Sequence, residues 1–138
     1  KMEKIVLCNC GILRQSSQKL TAIYDEALKS SGLRVTQFAV LKNIHKLGKT
    51  SITELDTYLE QDRSTIGRNI RILEKIKVVS INKSSDKREF EILITKYGIE
   101  CLQLARKSWE DINIKISSKL GKEKQKQMIE IMNVIQSI

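Results

Sequence analysis

The sequence predicts a mainly helical protein with one small β-hairpin. Its 138 residues contain no proline and only six scattered glycines, which favours long helices over loops. Apolar residues recur every three or four positions over most of the chain, and two β-rich runs flank one charged stretch. A chain of this length can bury a core without disulfides or metals. We therefore expect a single domain spanning residues 1–138.

The first two helices are predicted from helical spacing and from their ends. A long helix runs from about Asn9 to Ser30, where Ser30-Ser31-Gly32 stops it. Thr36 is the expected N-cap of a second helix, which ends at Gly48. The apolar face of the first helix consists of Leu13, Leu20, Ile23, Tyr24, Ala27 and Leu28.

The central third of the chain has the element order of a winged helix-turn-helix, which we place at about residues 35–95. A very short strand at 50–52 precedes a two-turn helix, and Asp62 is expected to cap the next, amphipathic helix. The β-rich runs 78–81 and 90–94 then surround a charged tip and predict the hairpin, or wing. The inward side chains of the amphipathic helix are Ile66, Ile70, Leu73 and Ile76.

The flanking helices, at about 8–31 and 96–138, are additional to the winged helix-turn-helix. Thr95 can cap the last helical region, and Gly121 is expected to interrupt it. Both regions carry continuous apolar stripes, and too little chain remains to cover them. We expect the protein to be a homodimer in which these helices pack against a second copy.

The charge is strongly positive and concentrated in one segment. Lys and Arg exceed Asp and Glu by nine, and eight basic against two acidic residues lie between Arg63 and Arg88. Nucleic acid is the leading partner, although an acidic protein or an anionic membrane surface would respond to the same field. The apolar runs are too short to span a bilayer, and no signal-peptide pattern is present, so we expect a cytoplasmic protein.

The second helix of a helix-turn-helix enters the DNA major groove with its N-terminus, so its opening turns need polar donors. Arg68 suits a guanine edge and Asn69 an adenine edge, while phosphate contact is as plausible for either. The glycine at position 67 would permit close approach to DNA or to a neighbouring helix. The predicted DNA-binding residues of this helix are Arg63, Ser64, Thr65, Arg68, Asn69 and Arg71.

The hairpin tip adds a second predicted contact with DNA. Lys83, Lys87 and Arg88 place cations where a wing reaches phosphates or the adjacent minor groove. Asp86 lies two residues from Arg88 and is expected to hold its guanidinium in one orientation.

From about Leu13 to the C-terminus, the sequence resembles the MarR (multiple antibiotic resistance regulator) family of winged-helix proteins. The resemblance is carried by segment 32–41 (GLRVTQFAVL), segment 62–74 (DRSTIGRNIRILE), and Asp86-Lys87-Arg88 placed before segment 94–98 (ITKYG). The family's wing usually reads Asp-Arg-Arg, and its second arginine, the minor-groove contact, corresponds to Arg88. Where the family tends to have Gly-Leu-Val after the recognition helix, this chain has Lys77-Val78-Val79.

The resemblance implies a homodimer with interlocking first and last helices, a palindromic double-stranded DNA operator, and usually repression. It also implies release of DNA by a small ligand or by cysteine oxidation. The family's ligand pocket generally lies between the dimerisation helices and the DNA-binding module, which makes Arg14, Tyr24 and Phe38 candidate lining residues.

The three cysteines are expected to be reduced thiols, with a redox switch at Cys8 or Cys10 as the alternative. Two residues two apart on a helix point away from each other, so this pair would meet a thiol across the dimer instead. Cys101 is distant in sequence. Nothing in the sequence predicts an enzyme, a metal site or a cofactor, and the less favoured functions are a non-specific DNA-coating protein and a protein-interaction module.

Overall fold

The computed structural model describes residues 7–59, 61–83 and 90–138, and within them it confirms the mainly helical fold with one hairpin. The described part of the chain begins with helix α1 and a 3₁₀ turn, continues through three shorter helices and the hairpin, and ends in one long helix. The elements are α1 (Asn9–Leu28), the 3₁₀ turn (Lys29–Ser31), α2 (Val35–Leu47), α3 (Ile52–Tyr58), α4 (Arg63–Lys75), β1 (Val79–Lys83), β2 (Phe90–Ile94) and α5 (Lys96–Gln136).

The core lies between α2, α4, the hairpin and the first turns of α5. Each helix turns the apolar side chains of its three- and four-residue repeat toward this centre, as an amphipathic helix must in water. Helix α2 packs against both α4 and α5 and so joins the helix-turn-helix to the last helix. The buried helical residues include Phe38, Leu41, Ile44, Leu55, Ile66, Ile70, Leu73, Leu102 and Ala105.

Helix α2 begins two residues earlier than predicted, and the assignment of Thr36 as its N-cap is wrong, because Arg34 is the N-cap. The backbone N–H of Val35 donates to Asp25 Oδ1 of α1 at 2.8 Å, and that of Arg34 donates to Gln37 Oε1 at 3.1 Å. These two acceptors satisfy N–H groups that the first turn of a helix leaves unpaired. A carboxylate from the preceding helix therefore does part of the work expected of a local cap.

The hairpin pairs β1 with β2 in antiparallel register, from Val79 opposite Ile94 to Lys83 opposite Phe90. The short strand predicted at 50–52 is a single β-bridge. Thr50 N–H donates to Ile92 O at 3.2 Å, and Ile92 N–H donates to Thr50 O at 2.8 Å. The bridge fixes the segment before α3 to the outer side of β2.

Helix α5 is broken at Gly121, as predicted, because this residue adopts φ 79° and ψ 161°. Thr95 caps the helix, accepting from Gly98 N–H at 2.9 Å while donating to Lys77 O at 2.7 Å. Beyond the break, the apolar side chains are exposed in the single chain: Met128, Ile129, Ile131, Met132, Val134, Ile135 and Ile138. Among the described helices, none has both the length and the apolar character needed to cross a bilayer.

The turn after α4 contains Lys77, the residue at which this chain departs from the glycine of the family pattern. Lys77 adopts φ 67°, the left-handed conformation that favours glycine. Its N–H donates to Glu74 O and the N–H of Val78 donates to Leu73 O, both at 3.0 Å, which is the paired hydrogen bonding of a Schellman C-cap. The turn is therefore kept although the glycine is absent.

Replacing Lys77 by glycine should stabilise the protein. The left-handed conformation costs a residue with a side chain about 1–2 kcal/mol, and glycine avoids this cost. Glycine has a greater entropy in the unfolded state, which offsets about 0.5–1 kcal/mol of the stabilisation. We expect Lys77→Gly to raise the free energy of unfolding in urea by about 0.5–1 kcal/mol. Arg71→Gly, at an exposed right-handed position inside α4, is the control and should lower it by about 1 kcal/mol. Equal signs for the two variants would contradict the strain at Lys77.

Candidate nucleic-acid interface

The packing of α4 determines which of its side chains face outward. Ile66, Ile70 and Leu73 are buried against the core, so the opposite face of the helix is open to solvent. Positions four, three and four residues apart fall on that face. Its exposed side chains are Ser64, Arg68, Arg71 and Lys75, which we call the outer stripe of α4. Its three cations lie along about 10 Å of helix axis, since each residue rises about 1.5 Å.

Lys75 is a member of this stripe that the sequence reading missed. It lies four residues after Arg71 and seven after Arg68, the same spacing that places the others on one face. The same helical spacing could have identified Lys75, but the prediction was limited to the opening turns of the helix.

Arg63 and Thr65 flank the stripe. The Arg63 guanidinium donates from Nη2 to Thr53 Oγ1 of α3 at 3.1 Å, so this side chain bridges the two helices of the module. Gly67 lies on the same flank, and no other part of the described chain comes within 4 Å of the Cβ that another residue would place there. Gly67 therefore does not serve to pack closely on a neighbouring helix within the described part of this chain. Its other predicted role, close approach to DNA, stays a prediction.

Asn69 does not lie on the open face, and its predicted placement beside an adenine is wrong. Its side chain is only 7% exposed, and Nδ2 donates to Gln61 Oε1 at 3.1 Å. Gln61 Nε2 in turn donates to Thr36 O of α2 at 3.3 Å. The amide of Asn69 is therefore used inside the protein, where it holds the turn between α3 and α4 against α2.

Asp62 organises the N-terminus of α4 and confirms the predicted cap. Its Oδ1 accepts from Ser64 Oγ at 2.7 Å and from the backbone N–H of Thr65 at 2.8 Å, while Oδ2 accepts from Thr65 Oγ1 at 2.9 Å. Thr65 Oγ1 also accepts from Arg68 Nη2 at 3.1 Å. The hydroxyl of Ser64, followed by the N–H and hydroxyl of Thr65 and the nearby charge of Arg68, lowers the pKa of Asp62 from 3.8 to about 2.

At the wing, the structure places one of the four predicted residues. Lys83 is exposed at the end of β1, opposite Phe90. Asp86, Lys87 and Arg88 lie outside the described residues. A groove between α4 and the hairpin is lined by Arg63, Gly67, Arg71 and Phe90 among others.

The three candidate pocket residues lie on α1 and α2. Phe38 is buried in the core with its ring centroid 6.1 Å from that of Trp109, so it packs α2 on α5. Arg14 is exposed on α1, where Nη2 donates to Cys10 Sγ at 3.4 Å. Arg14 and Tyr24 line different cavities of the described chain, while Tyr24 and Phe38 contact α5 one turn apart, at Asn113 and Trp109, and the predicted pocket stays a prediction.

Tyr24 lines a cavity of about 250 Å³ between α1 and α5. Its hydroxyl donates to Asn113 Oδ1 at 2.5 Å, and burial raises its pKa above the ordinary value of 10.0. Ser117 and Gln125 line the same cavity and are joined by a hydrogen bond from Gln125 Nε2 to Ser117 Oγ at 3.0 Å.

The cysteines occupy two different environments. Cys8 precedes α1 as its N-cap, with an extended backbone and with Sγ accepting from Gly11 N–H at 3.4 Å. Cys8 and Cys10 are exposed, whereas Cys101 is buried in the core. Within the part of the chain that the structure describes, no three His, Cys, Asp or Glu side chains form a group that could hold a metal ion.

A winged helix-turn-helix with a basic stripe on its second helix defines a DNA-binding regulator fold. The sequence model of the MarR family matches residues 33–90. An uncharacterised HTH-type transcriptional regulator of Bacillus subtilis, YwoH, is 30% identical over 104 residues, which are 75% of this chain and 71% of that protein. The chain belongs to the MarR family, whose relatives here are transcriptional regulators and not enzymes.

Solved structures agree with this assignment. The Mycobacterium tuberculosis transcriptional regulator MosR, solved in complex with DNA, is 28% identical with a TM-score of 0.82, and the match covers 95% of this chain and 96% of MosR. BpsR of Bordetella bronchiseptica has the same fold, at 18% identity and a TM-score of 0.81. The match covers 100% of this chain and 99% of BpsR.

The low pKa of Asp62 gives a direct test of the network at the start of α4. Because hydrogen bonding stabilises the ionised carboxylate, the folded pKa lies below the unfolded value, and the stabilisation is lost as the pH falls through about 2. Ser64→Ala removes the largest cause, so we expect the Asp62 pKa, followed by NMR of its carboxyl carbon, to rise toward 3.8. Ser118→Ala, an exposed serine on α5, is the control. An unchanged pKa in Ser64→Ala would show that the hydroxyl does not donate to Asp62.

Proposed function

We propose that the protein is a homodimeric, cytoplasmic transcriptional repressor that binds a palindromic double-stranded DNA operator sequence-specifically with α4 in the major groove. The observation that carries this proposal is the outer stripe of α4, in which a serine and three cations face solvent on the second helix of the module. MosR, similar over nearly its whole length, was solved with DNA.

The side chains of the stripe divide between base and phosphate contacts. Arg68 and Arg71 can bind a guanine edge through two parallel hydrogen bonds, whereas Lys75, at the end of the helix farther from the groove floor, suits a phosphate. At the wing we propose that Lys83, Lys87 and Arg88 contact phosphates or the minor groove, with Asp86 orienting Arg88. Arg63 bridges α4 to α3 and so positions the helix while remaining near the DNA backbone.

Two other functions would give different binding behaviour. A DNA-coating protein would show little preference between sequences, and a protein-interaction module would show no measurable DNA affinity even at low salt. A sequence-specific regulator should prefer its operator over random DNA by at least about 10³-fold at physiological salt. Footprinting of the DNA beside the protein's own gene, followed by fluorescence anisotropy on the protected segment and on random DNA, distinguishes the three.

Removing a cation from the stripe should weaken operator binding. We expect Arg68→Ala and Arg71→Ala each to lower operator affinity about tenfold, since a good base contact contributes about 1–3 kcal/mol of discrimination. If the lost contact is to phosphate, the salt dependence of binding should also fall by about one unit of slope. Lys119→Ala, which removes an exposed cation from α5, is the matched control.

Unchanged operator affinity in both arginine variants would refute the assignment of α4 as the reading helix. An equal loss in Lys119→Ala would show instead that the total charge, and not the stripe, governs binding.

The homodimer is supported by the apolar surface that the single chain leaves open. The start of α1 and the end of α5 together line one cleft that includes Leu13, Arg14, Ile131, Ile135 and Ile138. Several of these side chains are about half exposed, and contiguous apolar surface of this kind typically marks an interface. A second copy of the same surface would cover it by two-fold symmetry.

A charge placed in this cleft should separate the dimer. We expect Ile131→Asp combined with Ile135→Asp to give a monomer in sedimentation velocity, because burying an unpaired carboxylate is strongly unfavourable. Operator affinity should fall with it, since a monomer engages only one half-site. Asn133→Asp adds one negative charge on the opposite face of the helix and should leave the dimer intact. A dimeric double variant would place the interface elsewhere.

We propose that a small molecule releases the DNA and that it binds the Tyr24 cavity between α1 and α5. The cavity joins apolar walls, such as Leu20 and Ile116, to the polar groups of Tyr24, Asn113 and Gln125. Ligand sites in proteins commonly have this composition. DNA binding by BpsR, which shares this fold, is regulated by 6-hydroxynicotinic acid.

The alternative release signal is oxidation, favoured by the exposure of Cys8 and Cys10 and by the Arg14 hydrogen bond to Cys10 Sγ. In this scheme a peroxide takes one electron each from Cys8 or Cys10 and from a thiol of the second copy, and a disulfide forms. The O–O bond breaks, and with the two thiol protons hydrogen peroxide gives two waters, whereas an organic hydroperoxide gives one water and one alcohol.

The two signals can be separated on one set of variants. If a ligand in the Tyr24 cavity controls release, Tyr24→Phe should weaken release by active compounds from a library of small aromatic acids and amides, and Cys8→Ser and Cys10→Ser should respond normally. If oxidation controls it, the cysteine variants should stay bound in peroxide while Tyr24→Phe is released like the unmodified protein. Fluorescence anisotropy of bound operator reports both, and identical release from all variants would contradict both sites.

A further inference from the structure

The hydrogen bonds around Asp62 determine the direction in which the Ser64 hydroxyl can bond to DNA. The pKa of Asp62 is lowered to about 2, so this carboxylate is ionised at neutral pH and can only accept. The hydroxyl proton of Ser64 must therefore point toward Asp62 Oδ1, 2.7 Å away. Ser64 Oγ keeps its lone pairs for any further partner, while its single proton is already used.

The Thr65 hydroxyl is occupied in both directions. It donates to Asp62 Oδ2 and accepts from Arg68 Nη2. The first turn of α4 therefore offers no hydroxyl proton to the DNA. Its exposed hydroxyl oxygen, on Ser64, is an acceptor, and the donors of the outer stripe begin one turn later with Arg68.

The groups that DNA exposes are either hydrogen-bond acceptors or hydrogen-bond donors, and only the donors suit the Ser64 oxygen. Phosphate oxygens, guanine O6 and N7, and thymine O4 are acceptors and would need a proton from Ser64. Such a contact would break a charge-assisted hydrogen bond to Asp62, and a phosphate would also meet the negative charge of that residue. The major-groove donors are the exocyclic amines, N4 of cytosine and N6 of adenine.

We propose that Ser64 is a specificity-determining residue that reads the exocyclic amine of an adenine or cytosine in the major groove, and that Asp62 is the positioning residue that makes it an acceptor. This inference rests on the proposed DNA-binding function of α4 and adds the polarity of one contact to it. Because Ser64 and Arg68 are about 6 Å apart along the helix axis, the amine should lie within about two base pairs of the Arg68 contact.

The experiment begins with selection from random double-stranded DNA by the purified full-length protein. We expect the enriched half-site to contain one position restricted to adenine or cytosine, and Ser64→Ala to lose that restriction while enriching the rest of the site. Ser118→Ala, an exposed serine on α5, should enrich the same site as the unmodified protein.

Chemical removal of the amine then identifies the contact. Purine in place of adenine, or pyrimidin-2-one in place of cytosine, should weaken binding by the unmodified protein about three- to tenfold, the usual contribution of one hydrogen bond. Ser64→Ala should be insensitive to the same change. Asp62→Gly removes both carboxylate oxygens at an N-cap position, where glycine is tolerated. It frees the Ser64 proton, so this variant should also admit guanine or thymine at that position.

The possible results separate this inference from the proposed function. An enriched site with no amine-dependent position, or with equal amine dependence in Ser64→Ala, would refute the role of Ser64 and leave DNA reading by α4 intact. A uniform loss of affinity across all sequences in Ser64→Ala would mean a phosphate contact and would likewise refute it. If no sequence is enriched, both the inference and the proposed function are wrong.

Discussion

The burial of one face of α4 is the constraint on which the candidate site depends. Ile66, Ile70 and Leu73 lie in the core, and fully burying each such side chain contributes about 1.5–3 kcal/mol relative to exposure. Rotating the helix by one residue, about 100°, would expose part of this set and place a charged side chain inside. The outward direction of Arg68 and Arg71 is thus determined by apolar residues that never touch DNA.

The contacts at the two ends of α4 fix its side-chain orientations at the start and the direction of the chain at its end. At the start, Asp62 caps the helix and orients the hydroxyls of Ser64 and Thr65. At the end, the left-handed Lys77 turns the chain directly into β1, and Thr95 holds the carbonyl of Lys77 from the far side of the hairpin. The strands of the hairpin therefore keep a defined relation to α4, because β1 begins directly after the turn in which α4 ends.

Local patterns in the sequence predicted much of this arrangement. The spacing of apolar residues was enough to place α4, and the position of Asp62 before it was enough to identify the cap, since both effects act within one or two helical turns. Gly121 broke α5 for an equally local reason, its backbone conformation. The expected hairpin and the single bridge at Thr50 followed from residue preferences and from the order of the elements.

The expectations that failed depended on partners distant in the chain. The Val35 N–H is satisfied by Asp25, ten residues earlier, so Thr36 was not required as a cap. Asn69 looked like a base-reading residue because its type suits adenine, but Gln61 uses its amide inside the protein. Side-chain type indicates what a residue can bind, whereas tertiary packing decides whether it is free to do so.

The same packing implies how a signal at the flanking helices would reach the DNA-binding module. Phe38 and Trp109 join α2 to α5, and Lys42 Nζ lies 5.8 Å and 5.9 Å from the centroids of their two rings. Because α2 also packs against α4, a shift of α5 would have to reach α4 through its two interfaces with α2. In the proposed homodimer the two copies of α4 must fit half-sites about one turn of DNA apart, a spacing near 34 Å. Closely packed interiors transmit small displacements with little loss, so a change at the Tyr24 cavity that moved α5 would alter this spacing and weaken binding to both half-sites at once.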